Sequence, residues 1–407
     1  IALGEVWIAS GQSNMEWPLR QAFESEQAIA NSAHPMIRLY TVPHLKADQP
    51  KDNVSAAWQV CGPDSVPGFS AVAYYFARDL QQALKVPIGI IHTSWGGSPA
   101  EVWMSEPVLA ANPAYRQDIL ETYRAQYVKY LEATIQWQKE KMDLEKKGEA
   151  FTKRAPGLSW KPSELYNGMI APLIPFAIRG AIWYQGESNA GRAWQYRTLF
   201  ADMIRNWRKD WGLGDFTFLQ VQLAPFTDLL PQPGESNWAE LREAQWLATQ
   251  TLPKVGMAVI TDVGEEKDIH PRKKEPVGAR LALAARHIAY GEKLVASGPE
   301  FKKMKVKHNT ALLSFDHVGS GLEARGGALK GFAVCGQDRK FVWAQAEIQD
   351  NQVVVSSPEV EKPVAVRYGW ANFPVVNLWN KDGFPATPFR TDDFPMLTAP
   401  KKPQAKK

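Results

Sequence analysis

This 407-residue sequence predicts an α/β fold: a doubly wound parallel sheet with a smaller C-terminal β-sandwich-like domain. Three observations carry that reading. Short, continuously apolar runs recur at residues 5–10, 37–42, 88–93, 178–185, 216–223 and 255–262. Runs of that length without polar alternation suit strands covered on both faces, as in a parallel sheet. Stretches with helical spacing lie between them, giving the strand–helix alternation of a doubly wound domain. From about residue 295 the pattern changes to short runs separated by turn residues, which marks an antiparallel β module.

Each element has its own signal. Within 72–84, Tyr75, Phe76 and Leu80 share one helical face, and within 196–211, Leu199, Met203 and Trp207 recur at helical spacing. Residues 275–290 read as a further helix. Residues 113–148 keep helical spacing but are dense in Lys, Glu and Gln, which predicts a protruding helical insertion, single or hairpin, with solvated faces. It is either a structural excursion or a partner-binding arm. The α/β body therefore covers 1–294, and a β domain covers 295–370. The runs of the latter, 312–315, 332–334, 341–344, 353–356 and 364–368, are divided by turns such as Gly319-Ser320-Gly321 and Asp350-Asn351. Residues 371–397, rich in Asn, Pro and aromatics, are expected to fold back over the body. Residues 398–407 are expected to form a disordered basic tail.

Composition excludes several functions. The chain is 45% hydrophobic and 22% charged, typical of a packed globule, with 47 basic and 43 acidic residues for a net charge of +4. Lys401, Lys402, Lys406 and Lys407 supply that excess, so the body is formally neutral and nucleic-acid binding has no electrostatic footprint. No run of about 18 apolar residues offers a membrane span. The start at Ile1, with no charged-then-apolar leader, fits a mature chain whose export signal has been removed, so a periplasmic or secreted location is expected. Cys61 and Cys335 lie far apart, outside any metal-type spacing, and are either paired or two free buried thiols. No metal or cofactor is expected: the nearest grouping, Asp262 with Asp268 and His270, has only one histidine.

In a doubly wound sheet ligands bind beyond the carboxyl ends of the strands, so the chemistry is sought there. After the first strand comes Gly11-Gln12-Ser13-Asn14-Met15-Glu16-Trp17. Ser13, at the turn into a helix, is either a nucleophile with its own N–H aimed at the site or a helix-capping serine. After the third strand comes Ser94-Trp95-Gly96-Gly97-Ser98-Pro99. Its glycine pair either exposes backbone N–H groups for an oxyanion or makes an ordinary turn. After the fourth strand, Gln185 can present its amide to a developing negative oxygen, with Glu187 and Asn189 lining the pocket or bracing the loop. After the last strand of the body, Asp268-Ile269-His270-Pro271 offers a base within reach of the Ser13 turn. The other six histidines, His34, His44, His92, His287, His308 and His317, read as structural. Nucleophile, oxyanion donors and base in that order make an acyl-transfer site.

These blocks, with Glu101-Val102-Trp103, Tyr166-Asn167-Gly168-Met169 and Asn377-Leu378-Trp379-Asn380, resemble the bacterial sialate O-acetylesterases of the SGNH (GDSL-like) hydrolase superfamily of carbohydrate esterases. The resemblance covers nearly the whole chain. It implies an SGNH/flavodoxin-like sheet, Ser13 as nucleophile, His270 as base, and an oxyanion held by Ser13, Gly96, Gly97 and Gln185. Many SGNH enzymes carry asparagine where Gln185 stands, a variation shared by the sialate-type branch. The common Asp-x-x-His spacing is broken by Lys267, so the orienting acid is Asp268 first, Asp262 second, or a backbone carbonyl. Family members often carry an additional N-terminal β segment, and Ile1 begins only twelve residues ahead of Ser13. That segment is expected to be missing or to belong to a removed portion.

The expected substrate is an O-acetylated sugar or glycan. Gln12, Asn14, Glu187, Asn189 and Arg242 are the candidate binding residues, and Arg192 is a second cation for a sialate carboxylate. Trp17, Trp95 and Trp183 either stack on sugar or pack in the core. Cleavage of 9-O-acetyl sialic acid, cleavage of acetylated xylan, and carbohydrate binding without catalysis are the three functions that compete.

Overall fold

The computed structural model describes residues 3–400. The body is built on a seven-stranded sheet whose strands are β1 (Glu5–Gly11), β2 (His34–Thr41), β3 (Gln59–Cys61), β4 (Ile88–Ser94), β5 (Gly180–Tyr184), β6 (Thr217–Val221) and β7 (Val255–Ala258). Their order is β3-β2-β4-β1-β5-β6-β7. All pairings are parallel except the edge pair β2–β3. From β1 the chain crosses to β2 and the edge strand β3, returns to β4 beside β1, and then winds outward on the other side through β5, β6 and β7. The ends of β1, β4 and β5 therefore converge at the sheet's switch point.

Both faces are covered, as the unbroken apolar runs require. On one face the helices Ala71–Leu84 and Glu275–Ile288 pack against each other through Tyr75, Phe76, Val277 and Leu281. Gly278 allows that approach, because a Cβ there would sit 2.5 Å from the Tyr75 Cβ. Ser70 caps the first of these helices, its hydroxyl accepting the Ala73 N–H at 3.2 Å. On the other face Trp103, Trp183, Trp207 and Phe200 form the centre of a second apolar cluster with the helix Ala193–Trp211. Trp183 is thus a core residue.

The insertion contains one long helix rather than a hairpin. Pro113–Tyr115 and a π-helical stretch, Arg116–Glu121, lead into Thr122–Lys146, which buries no residue. The chain returns along it in extended form, held by Trp137 Nε1 to the Lys153 carbonyl at 2.8 Å and Ser159 Oγ to Gln126 at 2.7 Å. One helix, Asn237–Thr251, carries no clear sequence signal, because Glu240, Arg242 and Gln245 are buried with Leu241, Ala244 and Ala248 and blur its apolar stripe.

The C-terminal region holds β8 (Glu300–Lys307), β9 (Thr310–Asp316), β10 (Leu322–Ala324), β11 (Phe332–Cys335), β12 (Val342–Trp343), β13 (Gln345–Gln349), β14 (Gln352–Ser356), β15 (Ala365–Tyr368), β16 (Leu378–Asn380) and β17 (Phe389–Arg390). Two antiparallel sheets, β13-β14-β9-β8 and β12-β11-β15-β17, share one core through Leu313, Val353 and Val355 from the first and Phe332, Val334 and Val366 from the second. Residues 371–397 supply β16 and β17 and also grip the body. Arg390 pairs with Glu243 at 2.8 Å, and the Asn372 carbonyl accepts the Phe226 N–H at 3.2 Å. Cys61 and Cys335 are both buried and free. Among the described residues no helix is long and apolar enough to cross a membrane. The lysines of the expected basic tail lie outside them.

Candidate active site

Ser13 is delivered by backbone geometry at the end of β1. Gly11 has φ +140, and a Cβ there would lie 2.1 Å from the Tyr184 carbonyl oxygen of β5, so only glycine fits. The Gln12 N–H then donates to that same carbonyl at 3.0 Å, and a single helical turn, Ser13–Glu16, begins. Ser13 opens that turn with its hydroxyl 2.8 Å from His270 Nε2. His270 arrives from the long loop after β7. Asp268 Oδ1 accepts the His270 backbone N–H at 2.8 Å and lies 3.5 Å from Nδ1. Asp262, the second choice for the acid, is engaged by Arg280 at 2.6 and 2.8 Å. Trp17 stacks on the imidazole with ring centroids 5.2 Å apart. These groups open on a cleft of about 510 Å³ also lined by Glu16, Arg20, Thr41, His44, His92 and Ser94.

The surroundings of the imidazole favour its neutral form. Burial, then the nearby Lys274 ammonium, lower the His270 pKa from its ordinary value, against the opposing pull of Asp268. The neutral form that can accept the Ser13 proton therefore dominates at neutral pH.

Two of the expected oxyanion donors are otherwise engaged. Gly96 lies against the Ser13 side chain, as a Cβ there would come within 3.3 Å of Ser13 Cβ, but its N–H donates to Glu16 Oε2 at 2.6 Å. Gln185 is completely buried. Its amide nitrogen donates to the Ser98 carbonyl at 3.2 Å and Asn189 Oδ1 at 2.7 Å, and its oxygen accepts from Tyr196 at 2.9 Å. Both amide protons are committed inside the protein, so Gln185 is a brace and not a donor to substrate. The N–H groups of Ser13 and Gly97 have no hydrogen-bond partner among the described residues.

The expected substrate-binding residues likewise turn inward. Gln12 Oε1 accepts the Gly186 and Ser188 N–H groups at 3.3 and 3.4 Å. Asn189 ties the Ala100 N–H to Glu101 at 2.9 and 3.0 Å. Asn14 is buried between Glu187, which accepts from it at 2.7 Å, and the Ile269 carbonyl. Arg192 is paired with Glu101 at 2.5 Å. Arg242 is completely buried and donates to four backbone carbonyls: Leu223, Ala224, Ala371 and Asn372. It rivets the returning segment to the body and cannot meet a substrate carboxylate. Arg242→Met is expected to cost roughly 3 kcal/mol of stability by orphaning those carbonyls, read by denaturant unfolding. The ratio of kcat/KM on anionic and neutral acetyl esters should stay unchanged.

The side chains that do face the cleft come partly from a strand end outside the four sequence blocks. His44, just beyond β2, stacks on Trp95 with centroids 4.0 Å apart and pairs with Glu16 at 3.1 Å. His92 Nε2 lies 2.6 Å from Ser94 Oγ, and burial pushes its pKa down to about 4, so this imidazole is neutral. The rule that ligands bind beyond the carboxyl ends of the strands, applied to β2 as well, points to His44. Arg20, in the short 3-10 turn Leu19–Gln21 that follows the Ser13 turn, lines the same cleft with no ion pair or side-chain hydrogen bond among the described residues.

A model of the family described as carbohydrate esterase, sialic acid-specific acetylesterase, matches residues 3–159 and 152–286. The sialate O-acetylesterases of Mus musculus and Homo sapiens are each 29% identical over 92% of this chain, spanning 74% and 71% of their own lengths. Among solved structures, a carbohydrate acetylesterase from Xanthomonas citri is similar with a TM-score of 0.81 and 42% sequence identity, covering 96% of this chain and 81% of that one.

Proposed function

Because the chain belongs to the sialic acid-specific acetylesterase family of carbohydrate esterases, we propose that it cleaves 9-O-acetyl esters of sialic acids through an acetyl-enzyme formed on Ser13. The observation that carries the serine mechanism is the 2.8 Å contact between Ser13 Oγ and His270 Nε2 in an open cleft. His270 takes the Ser13 proton as Oγ attacks the acetyl carbonyl carbon, and the carbonyl electron pair moves onto oxygen. The Ser13 N–H, which has no hydrogen-bond partner among the described residues, stabilises that oxyanion. Such a donor contributes about 3 kcal/mol in comparable sites. The tetrahedral species then expels the sugar oxygen, which takes the proton from His270. Water, deprotonated by the same imidazole, next attacks the acetyl-serine carbonyl, and acetate is released as the bond to Ser13 Oγ breaks and Oγ recovers the proton from His270. Asp268 keeps the imidazole turned toward Ser13.

Arg20 supports the sialate reading over acetylated xylan. An exposed guanidinium with no partner among the described residues, on the wall of the cleft, suits a sugar carboxylate and has nothing to recognise on neutral xylan. Arg20→Gln is expected to lower kcat/KM on 9-O-acetyl sialic acid about 10-fold and to leave a neutral aryl acetate untouched. The test of the function is acetate release by wild type and Ser13→Ala from 9-O-acetylated sialic acid and acetylated xylan in parallel. Release from the first substrate that vanishes with Ser13→Ala supports the proposal. Preference for xylan moves the substrate to plant polysaccharide, and release that survives Ser13→Ala removes the serine mechanism.

A further inference from the structure

Behind Ser13 lies a buried charge pair that the acyl-transfer steps do not use. Lys274 is 1% exposed, and its Nζ donates to Asn14 Oδ1 at 2.5 Å. Asn14, next in sequence to Ser13 and equally buried, donates through Nδ2 to Glu187 Oε1 at 2.7 Å and to the Ile269 carbonyl at 3.0 Å. These partners fix the amide's orientation, since its oxygen must face the ammonium and its nitrogen the carboxylate and carbonyl. Three segments thus meet at one side chain: the turn after β1, the loop after β5 and the loop that carries His270.

We propose that Lys274 is a positioning residue of the acyl-transfer site, holding the Ser13 turn in register with the His270 loop through the Asn14 amide. The inference rests on the reading of Ser13 and His270 as nucleophile and base. A buried ammonium and carboxylate are a poor source of net stability, because desolvation offsets much of their attraction. What they provide is a single allowed arrangement. Ile269, whose carbonyl Asn14 holds, directly precedes His270, so a shift of Asn14 moves nucleophile and base relative to each other. An error of about 1 Å in such a pair costs on the order of 10²-fold in rate.

The charge itself also reaches the imidazole. The Lys274 ammonium lies 5.3 Å from the Tyr184 ring centroid and 5.7 Å from that of Trp17, the ring that stacks on His270. Glu187, Asp268 and Glu265 face Lys274 and favour its charged form, against burial that pushes its pKa down to about 7. Lys274 is in turn one of the two causes that lower His270. Removing its charge therefore raises the His270 pKa, and the acid limb of the rate profile moves to higher pH.

The experiment measures kcat, KM and the pH profile on p-nitrophenyl acetate for wild type, Ser13→Ala, Lys274→Met and Lys274→Gln, with a thermal melt of each. Lys274→Met is expected to lose roughly 10- to 100-fold in kcat with KM little changed, and to show an acid limb displaced upward. Lys274→Gln, which keeps a donor for Asn14 without the charge, should recover much of kcat yet keep the displaced limb. A folded Lys274→Met with wild-type kcat and an unmoved limb overturns the inference. Should Lys274→Met fail to fold, Lys274→Gln decides by its limb alone: displaced supports, unmoved overturns. An active Ser13→Ala would instead overturn the underlying serine reading, so the two failures are distinguishable.

Discussion

Ser13→Ala is expected to lower kcat by about 10⁴-fold or more while leaving the fold intact. The hydroxyl stands at the start of a helical turn and within hydrogen-bond reach of an imidazole, 2.8 Å from His270 Nε2. Its loss removes the proposed acetyl acceptor but no packing atom of the apolar core, since the neighbouring Asn14 and Met15, not Ser13, are the buried residues of that turn. Acetate release and circular dichroism on the purified variant check both halves of the expectation. A variant that retains a tenth of wild-type kcat would mean that water is activated elsewhere.

His270→Ala should lose a comparable factor, because Ser13 then has no base and the leaving sugar no acid. The pH dependence has a definite sign. Protonated His270 cannot accept the Ser13 proton, so kcat/KM rises with pH through the His270 pKa, and burial with Lys274 places that limb below the ordinary histidine value. The Asp268 carboxylate opposes this shift, so Asp268→Asn should move the limb further down and slow turnover by about 10²-fold, less than the loss of His270 itself. Profiles of kcat/KM for wild type and Asp268→Asn check the direction. A limb that moves upward on removing the carboxylate would contradict the assigned pairing.

Much of this architecture was legible in the sequence because it follows from apolar runs and strand ends. β1, β4 and β7 begin where their runs begin, and the Ser13 and His270 blocks fall at the same edge of the sheet because parallel strands all point one way. What escaped were polar residues in the interior. Gln185 and Arg242 look like functional side chains in a sequence, and Asn189 like either a pocket residue or a loop brace, since burying them is costly. The structure satisfies each with internal partners, so they brace the loops that shape the site. The same interior polarity hid the helix Asn237–Thr251. Lys274 escaped for the opposite reason: in the run Arg272-Lys273-Lys274 it reads as surface charge, and only the close packing of Trp17, Tyr184 and Asn14 around it shows that it points inward.

The central claim is that catalysis passes through the Ser13 hydroxyl, and covalent labelling tests it most directly. Wild-type protein treated with an aryl phosphonate, digested and mapped by mass spectrometry, should carry one phosphonyl group on the peptide containing Ser13, with acetylesterase activity lost in proportion to labelling. Label on a different residue accompanying the loss of activity, or full turnover by protein labelled at Ser13, would contradict it.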